Sequence, residues 1–97
     1  MPTYETTARF TADLDRLTPQ QRRHFHHVIT RAFVPDLRAG HFRAGLRVKG
    51  VQRAPGVYEL TWAGDGRATW QYGPEAVRGA PHIVRRRIGT HDILTGP

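Results

Sequence analysis

The side chains best suited to chemistry in this chain of 97 residues are its basic ones. Lys and Arg together number 15 against 8 Asp and Glu, which gives a formal net charge of +7. Lys49 is the one lysine, so all the other basic residues are Arg. A guanidinium group binds phosphate through two parallel hydrogen bonds and stays protonated near neutral pH. The composition therefore predicts a polyanionic partner.

Acid–base chemistry would fall to histidine. His91 lies two positions after Gly89, where a turn can aim its ring at a neighbouring sheet. An imidazole suits general acid–base catalysis because its unperturbed pKa is about 6.5. The chain has no cysteine, which excludes disulfides, thiolate nucleophiles and Cys-ligated metal sites. His24, His26 and His27 have no carboxylate or cysteine at a supporting spacing, so no metal or other cofactor is predicted.

A helical period of apolar residues covers the N-terminal part of the chain, which must support these groups. Apolar residues at i, i+4 and i+7 from Phe10 share one face of a helix predicted over about 7–17. Thr18–Gln21 then has the features of a new start: an N-cap threonine, a proline at the first helical position and a glutamine that completes a capping box. A second helix is predicted over about 19–34, with Pro35 ending it. Two helices with so short a connection form an antiparallel hairpin.

From Leu46 onward the apolar period changes to two, the period of β-strands. Clusters of Gly and Pro divide this part of the chain into strands. Strands are predicted at about 46–51, 57–63, 67–72 and 82–88. The fold class expected is α+β: an N-terminal antiparallel helix hairpin packed on a twisted, mainly antiparallel four-stranded sheet, in a single domain over residues 1–97.

The predicted sheet has two chemically different faces. The apolar face packs on the helices and carries Leu46, Val48, Tyr58, Leu60, Trp62, Ala68, Trp70 and Tyr72. The polar, mainly cationic face carries Arg47, Lys49, Glu59, Thr61, Arg67, Thr69 and Gln71. In the last strand either parity turns an arginine inward. We expect Val84 and Ile88 to point inward, with Arg86 reaching the sheet edge. Arg85 and Arg87 would then join the cationic face.

Each candidate also has a purely structural interpretation. Arg67 is either a phosphate ligand or a surface arginine, solvated or paired with Glu59 on the neighbouring strand. The run Arg85–Arg87 either follows a phosphate backbone or is simply solvated. His91 is either a proton-transfer group or a histidine that happens to lie at a strand end. The sequence alone leaves these alternatives open.

Several segments, taken in order, resemble the RelE/ParE toxin superfamily of bacterial toxin–antitoxin modules. They follow the predicted helices and are Leu46-Arg47-Val48-Lys49-Gly50, Gly56-Val57-Tyr58-Glu59-Leu60, Gly66-Arg67-Ala68-Thr69-Trp70-Gln71-Tyr72 and Arg87-Ile88-Gly89-Thr90-His91-Asp92-Ile93. The match runs over nearly the whole chain, and the order and spacing of the segments make it specific. The resemblance implies a RelE-like fold.

The resemblance also implies a function: the toxin of a type II toxin–antitoxin module, an endoribonuclease that cleaves mRNA without a metal ion. In such enzymes the 2′-hydroxyl attacks the adjacent phosphate while basic side chains hold the charge of the phosphorane. The resemblance implies roles for Arg67, His91 and Lys49, and strand parity adds other arginines of the cationic face. The predicted catalytic residues are Arg67, His91, Arg87 and Lys49, and the predicted substrate-binding residues are Arg47, Arg85 and Glu59. Glu59 and Thr61 stand where the best-known nucleases of this type have lysines, and no tyrosine follows His91. Proton transfer would therefore fall to His91, with Glu59 as a candidate base.

The implied partners are a cognate antitoxin with an acidic or amphipathic segment, and mRNA, either free or on the ribosome. Two other functions stay open: a ParE-like toxin that inhibits gyrase without nuclease activity, and a non-catalytic nucleic-acid-binding module. No apolar run approaches the roughly 18 residues of a membrane span, and nothing near Met1 resembles a signal peptide. We therefore expect a soluble, cytoplasmic protein that does not contact membranes.

Overall fold

The fold is a five-stranded mixed sheet with helices on one face. The computed structural model describes residues 2–97. In chain order the elements are β1 (Thr3–Thr6), α1 (Ala8–Arg16), α2 (Pro19–Val28), a π-helical turn (Ile29–Phe33), α3 (Val34–Ala39), a 3-10 turn (Ala44–Leu46), β2 (Lys49–Gly50), β3 (Val57–Thr61), β4 (Gly66–Gly73), β5 (His82–Thr90) and a C-terminal 3-10 turn (His91–Thr95). The strand order across the sheet is β1-β5-β4-β3-β2, with β1 parallel to β5 and the other pairs antiparallel. The predicted α+β class is confirmed, whereas the predicted number of four strands is wrong.

β1 has no counterpart among the predicted strands. It pairs in parallel with the first residues of β5. Thr3 and Glu5 hold His82 between them: Thr3 Oγ1 lies 2.7 Å from His82 Nδ1, and Glu5 Oε1 lies 2.8 Å from His82 Nε2. Tyr4, between them in the chain, is 64% exposed. The strand thus buries no apolar side chain, so the alternation that marks a half-buried strand is missing from its sequence.

The two predicted helix starts are confirmed. The Thr7 hydroxyl caps α1 by accepting a hydrogen bond from the Phe10 N–H. Thr18 and Gln21 form the predicted capping box of α2: Thr18 Oγ1 accepts from the Gln21 N–H at 3.1 Å, and Gln21 Oε1 accepts from the Thr18 N–H at 2.8 Å. Pro19 occupies the first helical position, where its missing N–H costs nothing.

The predicted end of the second helix at Pro35 is wrong. The helix runs through Pro35 and ends at Gly40, whose φ of 77° is left-handed. Pro35 has no N–H to give to the carbonyl one turn earlier, and its ring crowds that carbonyl. The helix accommodates the proline with a π-helical turn just before it, in which the Val34 N–H donates to the Ile29 carbonyl. A π turn closes a larger ring than an α turn, so the helix continues past the proline.

The predicted side-by-side hairpin of α1 and α2 is not formed. α1 packs chiefly on β5, to which Asp13 is tied by hydrogen bonds from Arg87 and Ile88. The two helices meet through the rings of Phe10 and Phe25, whose centres are 6.1 Å apart. The hydrogen bonds to Asp13 therefore hold α1 against β5. The short connection between α1 and α2 does not make the two helices pack side by side.

The first predicted strand, over 46–51, is shortened to Lys49–Gly50. Leu46 ends a 3-10 turn, and Arg47 has a left-handed φ of 50°. Leu46 still reaches the core, because a turn can bury a side chain as well as a strand can. The other three predicted strands begin and end within two residues of β3, β4 and β5.

A β-bulge in β5 separates its three arginines. Thr69 pairs with Arg87 and Trp70 pairs with Arg85, so Arg86 has no partner in the ladder. An extra residue of this kind changes which side of the sheet the following side chains occupy. Arg85 consequently lies on the helix side of the sheet, and Arg87 lies on the outer face.

The bulge also decides which apolar residues of β5 face the core. Ile83 and Ile88 both reach it, although regular alternation turns residues five positions apart to opposite faces. The prediction that Ile88 points inward is confirmed. The prediction for Val84 is wrong, because Ile83 takes the inward side before the bulge. Arg86, predicted to reach the sheet edge, donates instead to the Gln71 side chain and the Pro97 carbonyl.

The core lies between the helices and the sheet and is rich in aromatic rings. Its buried residues are Phe10, Phe25, Phe33, Leu37, Leu46, Leu60, Trp62, Ala68, Trp70, Ile83 and Ile88. Trp70 meets Phe33 edge to face, with ring centres 5.1 Å apart. Tyr72, predicted to point inward, is 48% exposed near the end of β4. No helix within residues 2–97 combines the length and the apolar character that crossing a bilayer requires.

Candidate active site

The outer face of the sheet, away from the helices, carries a cleft beside the short strand β2. This outer cleft has a volume of about 620 Å³ and lies between β2, the loop that follows it and the C-terminal 3-10 turn. Its polar lining residues are Lys49, Gln52, Arg53, Glu59, His91, Asp92 and Thr95. Three residues predicted from the sequence, Lys49, Glu59 and His91, thus meet in one place although they come from distant parts of the chain.

Lys49 and Glu59 are brought together by the register of β2 and β3, in which they lie directly opposite each other. Lys49 Nζ is 3.9 Å from Glu59 Oε1. This ion pair takes the place of the alternative pair between Glu59 and Arg67. The Lys49 side chain is 70% exposed, whereas the Glu59 side chain is only 7% exposed. The carboxylate therefore forms the floor of the outer cleft, with acceptor sites left for a substrate hydroxyl.

His91 is placed by the docking of the C-terminal turn on β5. Ile93 in this turn is buried and lies against Gly89, where an added Cβ would come within 2.9 Å of Ile93 Cγ2. The Thr95 hydroxyl donates to the Asp92 carbonyl at 2.9 Å and closes the turn. His91 itself is exposed. The missing side chain at Gly89 lets the turn approach the sheet closely, and this brings the imidazole to the outer cleft.

Arg87, predicted to bind phosphate, is engaged by Asp13. Its Nε donates to Asp13 Oδ2 at 2.6 Å and its Nη2 to Oδ1 at 3.0 Å, while its Nη1 donates to the Gly96 carbonyl at 3.0 Å. The hydrogen bond to Asp13 raises the pKa of Arg87. Burial raises the pKa of Asp13, but hydrogen bonds from Arg87 and the Ile88 N–H outweigh burial and leave that pKa below its usual value. Arg87 does not line the outer cleft; it ties α1 and the C-terminal segment to β5.

Arg67 lies at the start of β4, next to the turn between β3 and β4. Its Nη1 donates to the carbonyls of Gly66 and Gly64, at 3.0 and 3.4 Å. In the ladder Arg67 stands opposite Gly89, two residues before His91, but it does not line the outer cleft. The structure thus brings Arg67 next to the strand that leads to His91 and binds its guanidinium to the turn.

The two arginines predicted to bind substrate, Arg47 and Arg85, also lie outside the outer cleft. Arg47 is exposed just before β2. Arg85 lies on the helix side, where its guanidinium carbon is 4.3 Å from the ring centre of Tyr4 and 4.8 Å from that of Phe10. Burial lowers the pKa of Arg85. The bulge in β5 is the reason for this placement, because it puts Arg85 on the opposite side of the sheet from the cleft.

Arg53 lines the outer cleft and was missed in the sequence. It lies in the loop between β2 and β3 with a left-handed φ of 67°. Within residues 2–97 the only other non-glycine residue with a positive φ is Arg47, at the opposite end of β2. This conformation is unfavourable for a residue with a Cβ and is enriched at functional sites. The available signal was a basic residue between Gly50 and Gly56, in a loop that leads away from Lys49.

The outer cleft combines both signs of charge, where a mainly cationic face was predicted. Lys49 and Arg53 contribute cations, and Glu59 and Asp92 contribute carboxylates. Cations can hold a phosphate there while the His91 imidazole and a carboxylate transfer protons. Across the part of the chain that the structure describes, no three His, Cys, Asp or Glu side chains gather as metal ligands would.

Solved structures of similar shape come from toxin–antitoxin systems. A chain of the E. coli DinJ–YafQ toxin–antitoxin complex matches with a TM-score of 0.68 and 15% identity, over 98% of either chain. A chain of the RelBE2 toxin–antitoxin complex from Mycobacterium tuberculosis matches with a TM-score of 0.62 and 20% identity, over 94% of this chain and 100% of that one. A chain of the RelB–RelE antitoxin–toxin complex from Methanococcus jannaschii matches with a TM-score of 0.57 and 16% identity, over 93% of either chain.

These likenesses concern the fold. No family model and no curated protein matches the sequence. The structural neighbours are RelE-like toxins and are matched over almost the whole chain. The chain therefore has the RelE-like fold that the sequence resemblance predicted.

Proposed function

We propose that this chain, with its RelE-like fold, is the toxin of a toxin–antitoxin pair and cleaves mRNA as a metal-independent endoribonuclease. The observation that carries the proposal is the meeting of Lys49, Glu59 and His91 in the outer cleft. They supply a cation for the phosphate, a base and an acid, which are the groups that cleavage of RNA by its own 2′-hydroxyl requires. The structural neighbours, solved as complexes of toxin and antitoxin, support the same class of protein.

The phosphate at the cleavage point is bound by Lys49 and Arg53. Both side chains are exposed, so an RNA strand reaches them from solvent. The phosphorane carries more negative charge on its oxygens than the phosphodiester does, and nearby cations therefore lower the barrier. Arg47, just before β2, and Arg67, near the start of β4, bind the neighbouring phosphates in this proposal, which makes binding salt-dependent.

Two proton transfers accompany the cleavage. The Glu59 carboxylate takes the proton of the 2′-hydroxyl as that oxygen forms its bond to phosphorus. The bond between phosphorus and the 5′-oxygen then breaks, and the protonated His91 imidazole gives this oxygen a proton. The products are one RNA with a 2′,3′-cyclic phosphate and one with a free 5′-hydroxyl. Both side chains return to their starting protonation states by exchange with water.

Arg87 acts in this proposal as a positioning residue. Its hydrogen bond to the Gly96 carbonyl and its ion pair with Asp13 hold the C-terminal segment that carries His91. One N–H on each terminal nitrogen remains outside these bonds, so the predicted contact of Arg87 with phosphate stays a prediction.

The partner we propose for the toxin is a cognate antitoxin with an acidic or amphipathic segment. The formal charge of +7 attracts such a segment, and its presence over the outer cleft would exclude RNA. The second partner is mRNA, either free or on the ribosome. We propose that the protein acts in the cytoplasm, where it would meet these partners.

Incubation of the purified chain with a defined mRNA, with and without ribosomes, tests the proposal. We expect fragments with cyclic phosphate ends, and we expect His91→Gln and Glu59→Gln each to slow cleavage by about 100-fold or more. His27→Gln is the matched control, because His27 is an exposed histidine of α2, and it should leave the rate unchanged. Circular dichroism of every variant verifies that it is folded.

Other outcomes would point to the alternatives. Intact RNA together with stalled gyrase–DNA complexes would identify a ParE-like inhibitor of gyrase. RNA binding that weakens steeply with salt, without cleavage, would identify a non-catalytic nucleic-acid-binding module. Cleavage that both His91→Gln and Glu59→Gln leave intact would move the active site away from the outer cleft.

A further inference from the structure

A second cavity lies inside the molecule, between the helices and the sheet. This inner cavity has a volume of about 230 Å³ and mainly apolar walls. Rings and chains from both layers line it, among them Phe10, Phe25, Ile29, Phe33, Trp70 and Ile83. For comparison, an engineered apolar cavity of about 150 Å³ is enough to hold benzene. The inner cavity and the outer cleft lie on opposite sides of the sheet, so the two are separate sites.

Arg85 is the one arginine or lysine in the lining of the inner cavity. Its Nε and Nη2 donate to Thr6 Oγ1, at 3.1 and 2.8 Å. Three guanidinium N–H groups then have no hydrogen-bond partner within residues 2–97. No carboxylate in the same range lies within 4.0 Å, the ion-pair distance, of Arg85. Its close neighbours are instead the rings of Tyr4 and Phe10.

A cation in such surroundings favours the binding of an anion. The Arg85 guanidinium is partly buried and lies over Phe10, one of the most deeply buried side chains. Burial of a charge without a counter-ion is costly, and contact with aromatic rings offsets only part of that cost. The pKa of Arg85 is lowered by this burial. A carboxylate against the unused N–H groups would form strong, charge-assisted hydrogen bonds.

We propose that the inner cavity binds a small apolar molecule bearing one carboxylate, with its ring or short chain among the aromatic walls and its carboxylate on Arg85. A neutral apolar ligand would leave the cation without a partner. A strongly polar ligand would have polar groups buried against the apolar walls without hydrogen-bond partners. One cation beside a largely apolar space therefore selects an apolar monoacid.

Two features of the cavity wall support this assignment. Trp70 has a buried indole N–H with no hydrogen-bond partner in the described part of the chain, and an unpaired donor of this kind is rare in folded proteins. The π-helical turn Ile29–Phe33 also forms part of the wall, and such turns often occur at functional sites. The exposed lining residues Tyr4 and Thr30 mark the way in from solvent.

Binding of trans-cinnamate, compared with its neutral amide cinnamamide, tests the proposal on the unmodified chain. Calorimetric titration should give an affinity for cinnamate at least about tenfold higher than that for the amide, because the amide cannot form the charged pair with Arg85. Nuclear Overhauser contacts from the cinnamate ring to Phe10 and Phe33 should locate the ligand in the inner cavity. This comparison requires no variant to fold.

Three variants sharpen the test. Arg85→Gln should weaken cinnamate about tenfold and leave cinnamamide unchanged. Ile29→Trp, which fills the inner cavity from the helix side, should abolish binding of both. His91→Gln should leave cinnamate binding unchanged. The proposal of acid binding and the proposal of RNA cleavage can therefore be tested independently of each other. Circular dichroism and thermal unfolding confirm that each variant is folded.

Several results would overturn the proposal. One is an equal affinity for the acid and the amide, and another is the absence of saturable binding. Full affinity of cinnamate for Arg85→Gln would also exclude the guanidinium as the carboxylate ligand. Ligand contacts with His91 in place of Phe10 and Phe33 would place the site in the outer cleft.

Discussion

The carboxylate of Asp13 and the guanidinium of Arg87 form a two-point ion pair between residues 74 positions apart in the chain. The same carboxylate accepts the Ile88 N–H at 3.2 Å. That N–H is available because the parallel pairing of β1 with β5 stops at Arg85. One side chain of α1 thus completes the hydrogen bonds of β5 beyond the end of β1 and fixes the arginine that holds the C-terminal segment.

Replacement of Asp13 should lower the stability of the folded chain. Asp13→Asn leaves Arg87 without its counter-ion in a mostly buried position, and we expect the free energy of unfolding to fall by about 2 kcal/mol. Urea denaturation at pH 7 measures the change. Asp15→Asn, an exposed neighbour on α1, is the control and should stay within about 0.5 kcal/mol of the wild type. Equal values for the two variants would contradict the structural role of Asp13.

The effect of Asp13→Asn should also depend on pH. The pKa of Asp13 is below its usual value in the folded chain, because hydrogen bonds from Arg87 and Ile88 outweigh the opposing effect of burial. The contribution of Asp13 to stability is therefore complete above its unfolded pKa of about 3.9 and is lost as pH falls through the lower folded value. The difference in stability between wild type and variant should be constant from pH 5 to 7 and shrink below about pH 4. If the difference in stability between wild type and Asp13→Asn grew on acidification, the pKa of Asp13 would be raised in the folded chain and not lowered.

Asp36 and Arg43 form a second two-point pair, which holds the loop that leads to β2. The Arg43 side chain donates to both carboxylate oxygens, at 2.8 and 2.9 Å, and its N–H donates at 2.8 Å. These hydrogen bonds lower the pKa of Asp36 to about 2. A carbon-detected NMR titration should therefore show a midpoint near that pH, and the stabilising effect of the pair should be complete above about pH 4 and lost as pH falls through about 2. In Arg43→Gln the midpoint should rise without reaching the usual value, since the N–H still donates; no change at all would count against the pair.

Gly89 should be essential for the position of His91. In Gly89→Val the new side chain meets Ile93, so the C-terminal turn has to move away from β5 and take the imidazole with it. We expect RNA cleavage to fall at least about tenfold, as misplacement of a catalytic group by about 1 Å costs up to 100-fold. Gly45→Val, at a glycine with open space around it, is the control. Full cleavage by Gly89→Val would mean that the docked turn does not set the active geometry.

Lys49 should act through its charge in the outer cleft. Lys49→Met keeps the length of the side chain and removes the ammonium group, and we expect the cleavage rate to fall about 100-fold because the phosphorane loses a cation. Lys49→Arg should retain most of the rate, and Arg38→Met at an exposed position of α3 should have no effect. The rates come from single-turnover cleavage of a short RNA. A uniform loss of RNA affinity with an unchanged maximal rate would assign Lys49 to binding alone.

Part of the fold could be predicted from the sequence because the residues that determine it are close together in the chain. The capping box of Thr18 and Gln21, the glycine-rich turn before β4 and the alternation in β3 each depend on residues close together in the chain. Of the candidate site, alternation put Lys49 and Glu59 on one face of the predicted sheet, whereas their direct pairing across β2 and β3 was not predicted.

The features that could not be predicted depend on residues far apart in the chain. β1 has a polar pattern and is a strand only because β5 offers it an edge. The bulge at Arg86 lets Ile83 and Ile88 both face the core, and no local sequence pattern predicts this bulge. It decides that Arg85 and Arg87 lie on opposite faces. Arg87 matched the expectation of a phosphate ligand by residue type, but its partner Asp13 lies in another element.

The place of β5 in the sheet has a consequence for the order of folding. β5 is the last strand in the chain, yet it lies between the first strand and the fourth. During synthesis on the ribosome β1 therefore emerges long before its partner and waits, with its backbone unpaired, until residues 82–90 have left the exit tunnel. The contact between Thr3 and His82 joins residues 79 positions apart, and contacts of such long sequence separation raise the contact order, which is associated with slow folding. A nascent chain halted before residue 82 would lack the strand that both neighbours need, and it would reach neither the core nor the cleft.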